Sequence, residues 1–143
     1  MEMRFLIVDD DIGFRRTISY IIEKYHLGVV VGNYGDGLEA ETGIRKLRPD
    51  IVVVDLLLPG QSGIELTKKI SSINNKISYI MISACSNKSI ITEAMLSGID
   101  YYLQKPINVL DFNSVIKKIA ERKKAGPKRT GTLCHKLKTI CRL

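Results

Sequence analysis

Four β-branched residues stand in a row at Ile51-Val52-Val53-Val54, and a carboxylate, Asp55, ends the run. The segment that follows, Leu56-Leu57-Leu58-Pro59-Gly60-Gln61-Ser62-Gly63, is punctuated by proline and glycine. An apolar run of this length, closed by turn signals, reads as a fully buried strand. Open parallel sheets keep their chemistry at the C-terminal rim of the strands, so Asp55 is delivered to such a rim. Phe5-Leu6-Ile7-Val8 ends the same way, in Asp9-Asp10-Asp11. Two buried strands that both finish in acid predict an acidic pocket. Carboxylates crowded together repel one another unless a cation neutralises them, and hard oxygen donors suit Mg²⁺.

Strand and helix patterns alternate five times along the chain. Strands are expected at residues 4–8, 29–34, 51–55, 77–83 and 101–104. Helical spacing is followed first by Phe14, Ile18, Ile21, Ile22 and Tyr25, then more weakly by Leu38, Ile44 and Leu47 with an interruption at Gly43. Ile64, Leu66, Thr67 and Ile70 mark a third helix, and Ile90, Ile91, Ala94 and Met95 a fourth. Phe112, Val115, Ile116 and Ile119 mark the fifth, starting after Pro106 with Asn108 as its N-cap. Asp11 caps the first helix. Five βα units of this length predict an α/β fold, a doubly wound parallel sheet joined by right-handed crossovers. At 143 residues, with 45% apolar and 26% charged side chains, the chain can bury a core.

The net charge of +7 is unevenly placed. Residues 1–120 balance 14 basic against 14 acidic side chains. Beyond them lie Arg122, Lys123, Lys124, Lys128, Arg129, Lys136, Lys138 and Arg142, opposed by Glu121 alone. A near-neutral domain over 1–124 with a basic tail over 125–143 describes this better than a basic protein. Ala125-Gly126-Pro127 marks the break. In the tail, Leu133, Leu137, Ile140 and Cys141 recur at helical spacing, which fits a linker, the first helix of a truncated effector domain, a nucleic-acid or membrane-surface element, or an unstructured remnant. Cys134, His135 and Cys141 lack zinc-site spacing. Three scattered cysteines, no run of roughly 18 apolar residues and a start that runs straight into a strand predict a cytoplasmic protein with no membrane span or signal peptide.

In one parallel sheet all C-terminal strand ends share an edge, so Asp9, Asp10, Asp55, Ser83 and Lys105 should converge. That set suits phosphoryl transfer to a carboxylate. The acids hold Mg²⁺, Asp55 attacks phosphorus, and Ser83 and Lys105 bind oxygens as charge develops.

Taken in order, Val8-Asp9-Asp10, Asp55 with Pro59 and Gly63, Ser83-Ala84, Gly98-Ile99-Asp100-Tyr101 and Lys105-Pro106 form a specific set. Over residues 3–122 the chain resembles the receiver domain of bacterial two-component response regulators. The resemblance implies a flavodoxin-like (βα)5 fold with strand order 2-1-3-4-5. It implies Asp55 as phosphoacceptor, Asp10 and Asp55 as direct Mg²⁺ ligands, Asp9 as a ligand through water, and the Leu57 carbonyl as a further ligand. Ser83 and Tyr102 would be a switch pair, with Tyr102 rotating inward as phosphate draws the Ser83 hydroxyl toward it. A sensor histidine kinase would be the phosphodonor, and the face of helix four, strand five and helix five would form a homodimer or partner contact. The departures are Ser rather than Thr at 83, Leu rather than Met at 58, and Ile after Gly98.

Other classes fit less of the chain. Haloacid-dehalogenase-type phosphatases share the Asp-x-Asp string at Asp9-Asp10-Asp11, but need a further acidic pair after their lysine and leave Asp55 unexplained. Flavin phosphate would be repelled by three acids. A calcium loop starting at Asp9 would carry Phe14 at its sixth position and Tyr20 at its twelfth, where Gly and Glu are required. The expected function is a phosphorylation-controlled switch regulating an output, with transcription preferred. DNA would be contacted only through an effector segment. The alternative is a stand-alone receiver that serves a phosphorelay or binds a protein target.

Overall fold

Successive side chains along a strand point to opposite faces of the sheet, so a strand apolar at every position needs cover on both. The computed structural model, which describes residues 2–126, supplies that cover. Its elements are β1 (Arg4–Val8), α1 (Ile12–Lys24), β2 (Val29–Tyr34), α2 (Gly37–Leu47), β3 (Ile51–Val54), α3 (Gly63–Ser71), β4 (Ser78–Ser83), α4 (Lys88–Leu96), β5 (Tyr101–Gln104) and α5 (Val109–Lys124). The sheet is parallel, with strand order β2-β1-β3-β4-β5. Leu6, Val8, Val52, Val54, Tyr79 and Met81 pack against Ala40 and Ile44 of α2, Ile64, Leu66 and Ile70 of α3, and Ala94 and Met95 of α4. The alternate set, Phe5, Ile7, Ile51, Val53, Ile80 and Ile82, meets Ile18, Ile21 and Ile22 of α1 and Phe112, Val115, Ile116 and Ile119 of α5. The expected fold is the observed one.

Local chemistry sets the element boundaries. Asp11 caps α1 by accepting from the Gly13 and Phe14 amides, and Asn108 caps α5 by accepting from the Asp111 amide. Two boundaries differ from the sequence expectation by one residue. β3 stops at Val54, although the Asp55 amide still donates to the Val8 carbonyl at 2.9 Å, and β4 begins at Ser78 although Ile77 is buried. At the exit of α5, Arg122 pairs with the buried Asp100 at 3.3 Å and donates to the Ser78 hydroxyl, fastening the helix end to the base of the sheet.

Three details of the helix reading are corrected. Leu38 is 53% exposed, because α2 turns Ala40, Ile44 and Leu47 to the sheet instead. Tyr25 is exposed at the C-cap of α1 and lies outside its buried stripe. Gly43 does not interrupt α2; a Cβ there would stand 2.4 Å from the Tyr34 ring, so the glycine is what lets that ring come so close to the helix. The tail helix proposed around Leu133–Cys141, and the Cys134, His135 and Cys141 group, lie outside the described residues. No helix among the described residues is long and apolar enough to cross a membrane.

Candidate functional site

Register brings the acids together. Val8 pairs with Val54 across the β1–β3 boundary, so the residues that follow, Asp9 and Asp55, emerge side by side at the rim. That boundary is where the strand order reverses direction, the crevice in which open α/β sheets bind ligands. Ser83 pairs with Gln104, and the Lys105 amide donates to the Ser83 carbonyl at 2.9 Å, which sets Lys105 at the same rim from β5. Two strand spacings, roughly 10 Å, separate β5 from β3. A long lysine spans that gap where a shorter side chain would not.

The Lys105 ammonium sits 2.8 Å from Asp9 Oδ2 and 3.4 Å from Asp55 Oδ2. It also lies over the Phe14 ring, 4.2 Å from its centroid. Phe14 reads in the sequence as an ordinary core position of α1; only the folded chain shows it as the floor under the ammonium. The Lys105–Pro106 peptide is cis. Burial by itself would lower the Lys105 pKa, but the Asp9 and Asp55 carboxylates outweigh it and hold the amine above its usual range. Lys105 therefore stays cationic throughout the neutral range.

The three carboxylates differ in environment. Asp9 is 1% exposed, and both its oxygens are engaged, Oδ1 by the Asp11 amide at 2.9 Å and Oδ2 by Lys105. Its carbonyl is held by the Arg15 guanidinium, a contact that the sequence did not announce. Asp55 is 9% exposed, and its Oδ1 accepts from the Leu56 amide at 2.7 Å. Burial, reinforced by the Asp9 charge, pushes the Asp55 pKa up. Asp10 points to solvent. Ligand oxygens from Asp9, Asp10 and Asp55 lie within 4.8 Å of one another. Oxygens bound to one Mg²⁺ at about 2.1 Å stand at most about 4.2 Å apart, so this all-oxygen set fits the ion with slight closure or with one acid acting through water. One ammonium cannot neutralise three carboxylates, and a divalent cation would meet the deficit.

Glycine explains how close the following loop can come. The Gly63 amide donates to the Leu56 carbonyl, and a Cβ on Gly63 would stand 2.1 Å from the Asp55 carbonyl oxygen. Any side chain there would push α3 off the Asp55 backbone. Leu57 projects outward, 73% exposed.

Ser83 is buried, its Oγ accepting from the Cys85 amide at 3.3 Å. Tyr102 differs from the sequence expectation. Its ring is already packed inward at 3% exposure, with its hydroxyl donating to the Cys85 carbonyl at 2.6 Å, so no rotation separates it from the interior in this conformation. Burial raises its pKa.

The sequence matches the response regulator receiver domain over residues 5–117. The chain belongs to this family. A receiver domain of a two-component system is a signalling regulator rather than a classical metabolic enzyme, and receivers bind Mg²⁺ at an aspartate cluster such as the one formed here by Asp9, Asp10 and Asp55. The transcriptional regulatory protein GlnL of Bacillus subtilis is 38% identical over 122 residues, covering 84% of this chain and 38% of GlnL. The DNA-binding response regulator MtrA of Mycobacterium tuberculosis is 32% identical over 108 residues, 74% of this chain and 45% of MtrA. The CheY-like receiver domain from Methanospirillum hungatei superposes with a TM-score of 0.80 at 27% identity, covering 88% of this chain and all of that one. This receiver spans less than half the length of these curated relatives.

Proposed function

We propose that the chain is a phosphorylation-controlled switch that accepts a phosphoryl group on Asp55 from a sensor histidine kinase and regulates an output, transcription being the reading favoured by its relatives. The observation that carries this is the convergence of Asp55, Asp9 and Asp10 with the Lys105 ammonium at one sheet rim. Asp10 and Asp55, with the Leu57 carbonyl, would hold Mg²⁺ directly. Asp9 would act through water, a role supported by the prior engagement of both its oxygens. Bound Mg²⁺ supplies charge neutralisation for the phosphoryl oxygens. An Asp55 oxygen attacks phosphorus as the bond to the donor breaks, and Lys105 and the Ser83 hydroxyl bind oxygens as charge develops. Residues 125–143 would be dispensable for this chemistry, since every proposed site residue, and every buried core residue among the described ones, precedes them. In the test, both the full chain and one ending at Lys124 are incubated with acetyl phosphate and measured by intact mass. Each should gain one phosphoryl group with Mg²⁺ and none with a chelator; uptake that ignores Mg²⁺, or a shortened chain that takes no phosphate, would refute the respective claim.

Phosphate lifetime should be long. Leu57 and Cys85, two residues beyond Asp55 and Ser83 respectively, would govern water access to the acyl phosphate, and neither side chain can orient an attacking water. Leu57→Asn, which introduces such a group at an exposed position, is expected to hasten loss of phosphate several-fold. A rate equal to that of the wild type would remove this explanation.

Transmission would run through Ser83 and Tyr102. Because Tyr102 is already inward in this conformation, phosphorylation would act by holding it there through Ser83 rather than by turning it, a population shift between two packings. The α4–β5–α5 surface would then favour a homodimer or partner contact. Sedimentation with beryllofluoride and Mg²⁺ should report a larger species than the apo chain, and Tyr102→Ala should abolish the difference. An unchanged sedimentation coefficient, with partner binding also unaltered, would count against this route.

A further inference from the structure

The loop of residues 56–62 carries the Leu57 carbonyl and follows directly on Asp55. At its far end the Gly63 amide donates to the Leu56 carbonyl at 2.9 Å. At its middle it is fixed by a different element, the first turn of α2. The Pro59 carbonyl accepts from the Gly37 amide at 2.9 Å and from the Gln61 amide at 2.9 Å. Gln61 is buried, and its amide Nε2 donates back to the Gly37 carbonyl at 3.5 Å. The approach is too close for any other residue at position 37, where a Cβ would stand 2.1 Å from the Gln61 carbonyl oxygen and 2.9 Å from its Cβ. Next to this contact, Gly60 adopts a positive φ of 79°, and a Cβ there would meet the Asp36 carboxylate at 2.8 Å. That carboxylate is itself occupied as the N-cap of α2, accepting from the Leu38 and Glu39 amides. The helix behind the contact is anchored by the buried Ala40 and Ile44. The first turn of α2 is thus in hydrogen-bonded, van der Waals-limited contact with the middle of a loop whose Leu56 and Leu58 pack on the core.

We infer that the first turn of α2, acting through Gly37 and Gln61, is a positioning element of the phosphoacceptor site that sets the height of residues 56–62 and with it the Leu57 carbonyl. This rests on the function proposed above and names residues that serve it. Neither Gly37 nor Gln61 touches the reacting carboxylate, so both are positioning residues. A carbon at position 37 must displace the loop by about 1 Å to reach ordinary contact distance, and displacement on that scale in a site of this kind costs about tenfold to a hundredfold in rate.

The full 143-residue chain is compared as wild type, Gly37→Ala, Gln61→Ala and Gly43→Ala. Mg²⁺ binding is followed by calorimetric titration with the metal alone, and phosphorylation by uptake from acetyl phosphate. Gly37→Ala is expected to raise the Mg²⁺ half-saturation and slow phosphorylation by about tenfold or more each. Gly43→Ala crowds the same helix against the Tyr34 ring, and should lower the melting temperature while leaving the Mg²⁺ half-saturation at the wild-type value. An unaltered half-saturation in Gly37→Ala, or an equal rise in Gly43→Ala, overturns the inference. Should Gly37→Ala not fold, Gln61→Ala decides: it removes one weak hydrogen bond and should raise the half-saturation about threefold, and no rise overturns the positioning role. A wild-type chain that neither binds Mg²⁺ nor gains phosphate overturns the functional reading, and the positioning role falls with it.

Discussion

Asp55→Asn is expected to abolish phosphoryl uptake completely and, at the same time, to make the metal-free chain more stable. The first effect follows from the loss of the nucleophile: an amide oxygen cannot form the acyl phosphate, and the other carboxylate beside Lys105, Asp9, is buried with both its oxygens already engaged. The second follows from electrostatics. Burial, together with the Asp9 charge, raises the Asp55 pKa above its ordinary value. A carboxyl whose pKa is raised by folding binds its proton more tightly in the native state than in the unfolded one. Its contribution to stability is therefore greatest at acid pH and declines as pH rises through the unfolded and then the folded pKa. At neutral pH the ionised group opposes folding. Asparagine, of nearly the same shape, removes that opposition, and a gain of about 2–5 °C in melting temperature is expected for a domain of this size. The gain should shrink near pH 4 and should narrow or reverse in Mg²⁺, which stabilises only a chain that binds it. Intact mass after acetyl phosphate treatment and thermal melts at two pH values check both halves. A variant that still acquires phosphate would sink the assignment, and one that melts lower at neutral pH without Mg²⁺ would sink the account of strain.

Lys105→Met should separate binding from chemistry. The ammonium is the only cation paired with the Asp9 and Asp55 carboxylates among the described residues, and it lies partly buried between them. Its removal leaves two neighbouring carboxylates without a counter-charge, so the metal-free variant should melt below wild type. Mg²⁺ should then bind more tightly than in the wild type, because it no longer competes with a fixed positive charge, and should restore much of the lost stability. Phosphoryl transfer should nonetheless fall about a hundredfold, since loss of one preorganised donor to developing charge costs on that order. A Mg²⁺ titration monitored by melting temperature, run beside phosphorylation rates at saturating Mg²⁺, distinguishes the two effects. Wild-type rates in the variant would exclude Lys105 from the chemistry. Weakened Mg²⁺ binding would show instead that the lysine organises the acids rather than competing for them.

The two variants probe features of different origin. That Asp9, Asp55, Ser83 and Lys105 meet at one rim was legible in the sequence, because it depends only on local pattern and topology. Apolar runs of strand length identify buried strands, parallel pairing puts all their C-terminal ends on one edge, and the residue at each end is then fixed by counting. The Asp11 and Asn108 caps and the α5 end near Lys124 were legible for the same reason, since each is decided by residues within one helical turn.

What stayed hidden depends on groups that are far apart in sequence. Phe14 under Lys105 joins residues from α1 and the end of β5, and nothing in either segment alone marks the pair. Leu38 fits a helical stripe as well as Ala40 does, and only the direction from which α2 meets the sheet decides that Ala40 is inside. Gly43 read as a helix interruption because glycine is a poor helix former; its actual reason is the Tyr34 ring from β2, a contact with no local trace. The inward Tyr102, held by the Cys85 carbonyl, is one choice among rotamers, and rotamer choice is settled by packing rather than by residue type. The Gly37 contact with residues 59–61 likewise needs α2 and the β3–α3 loop already in place. The sequence by itself determined which residues reach the rim, since periodicity and strand order are one-dimensional facts. Tertiary structure alone decided how each side chain is held there, because close approach between distant segments is set by the whole packed core.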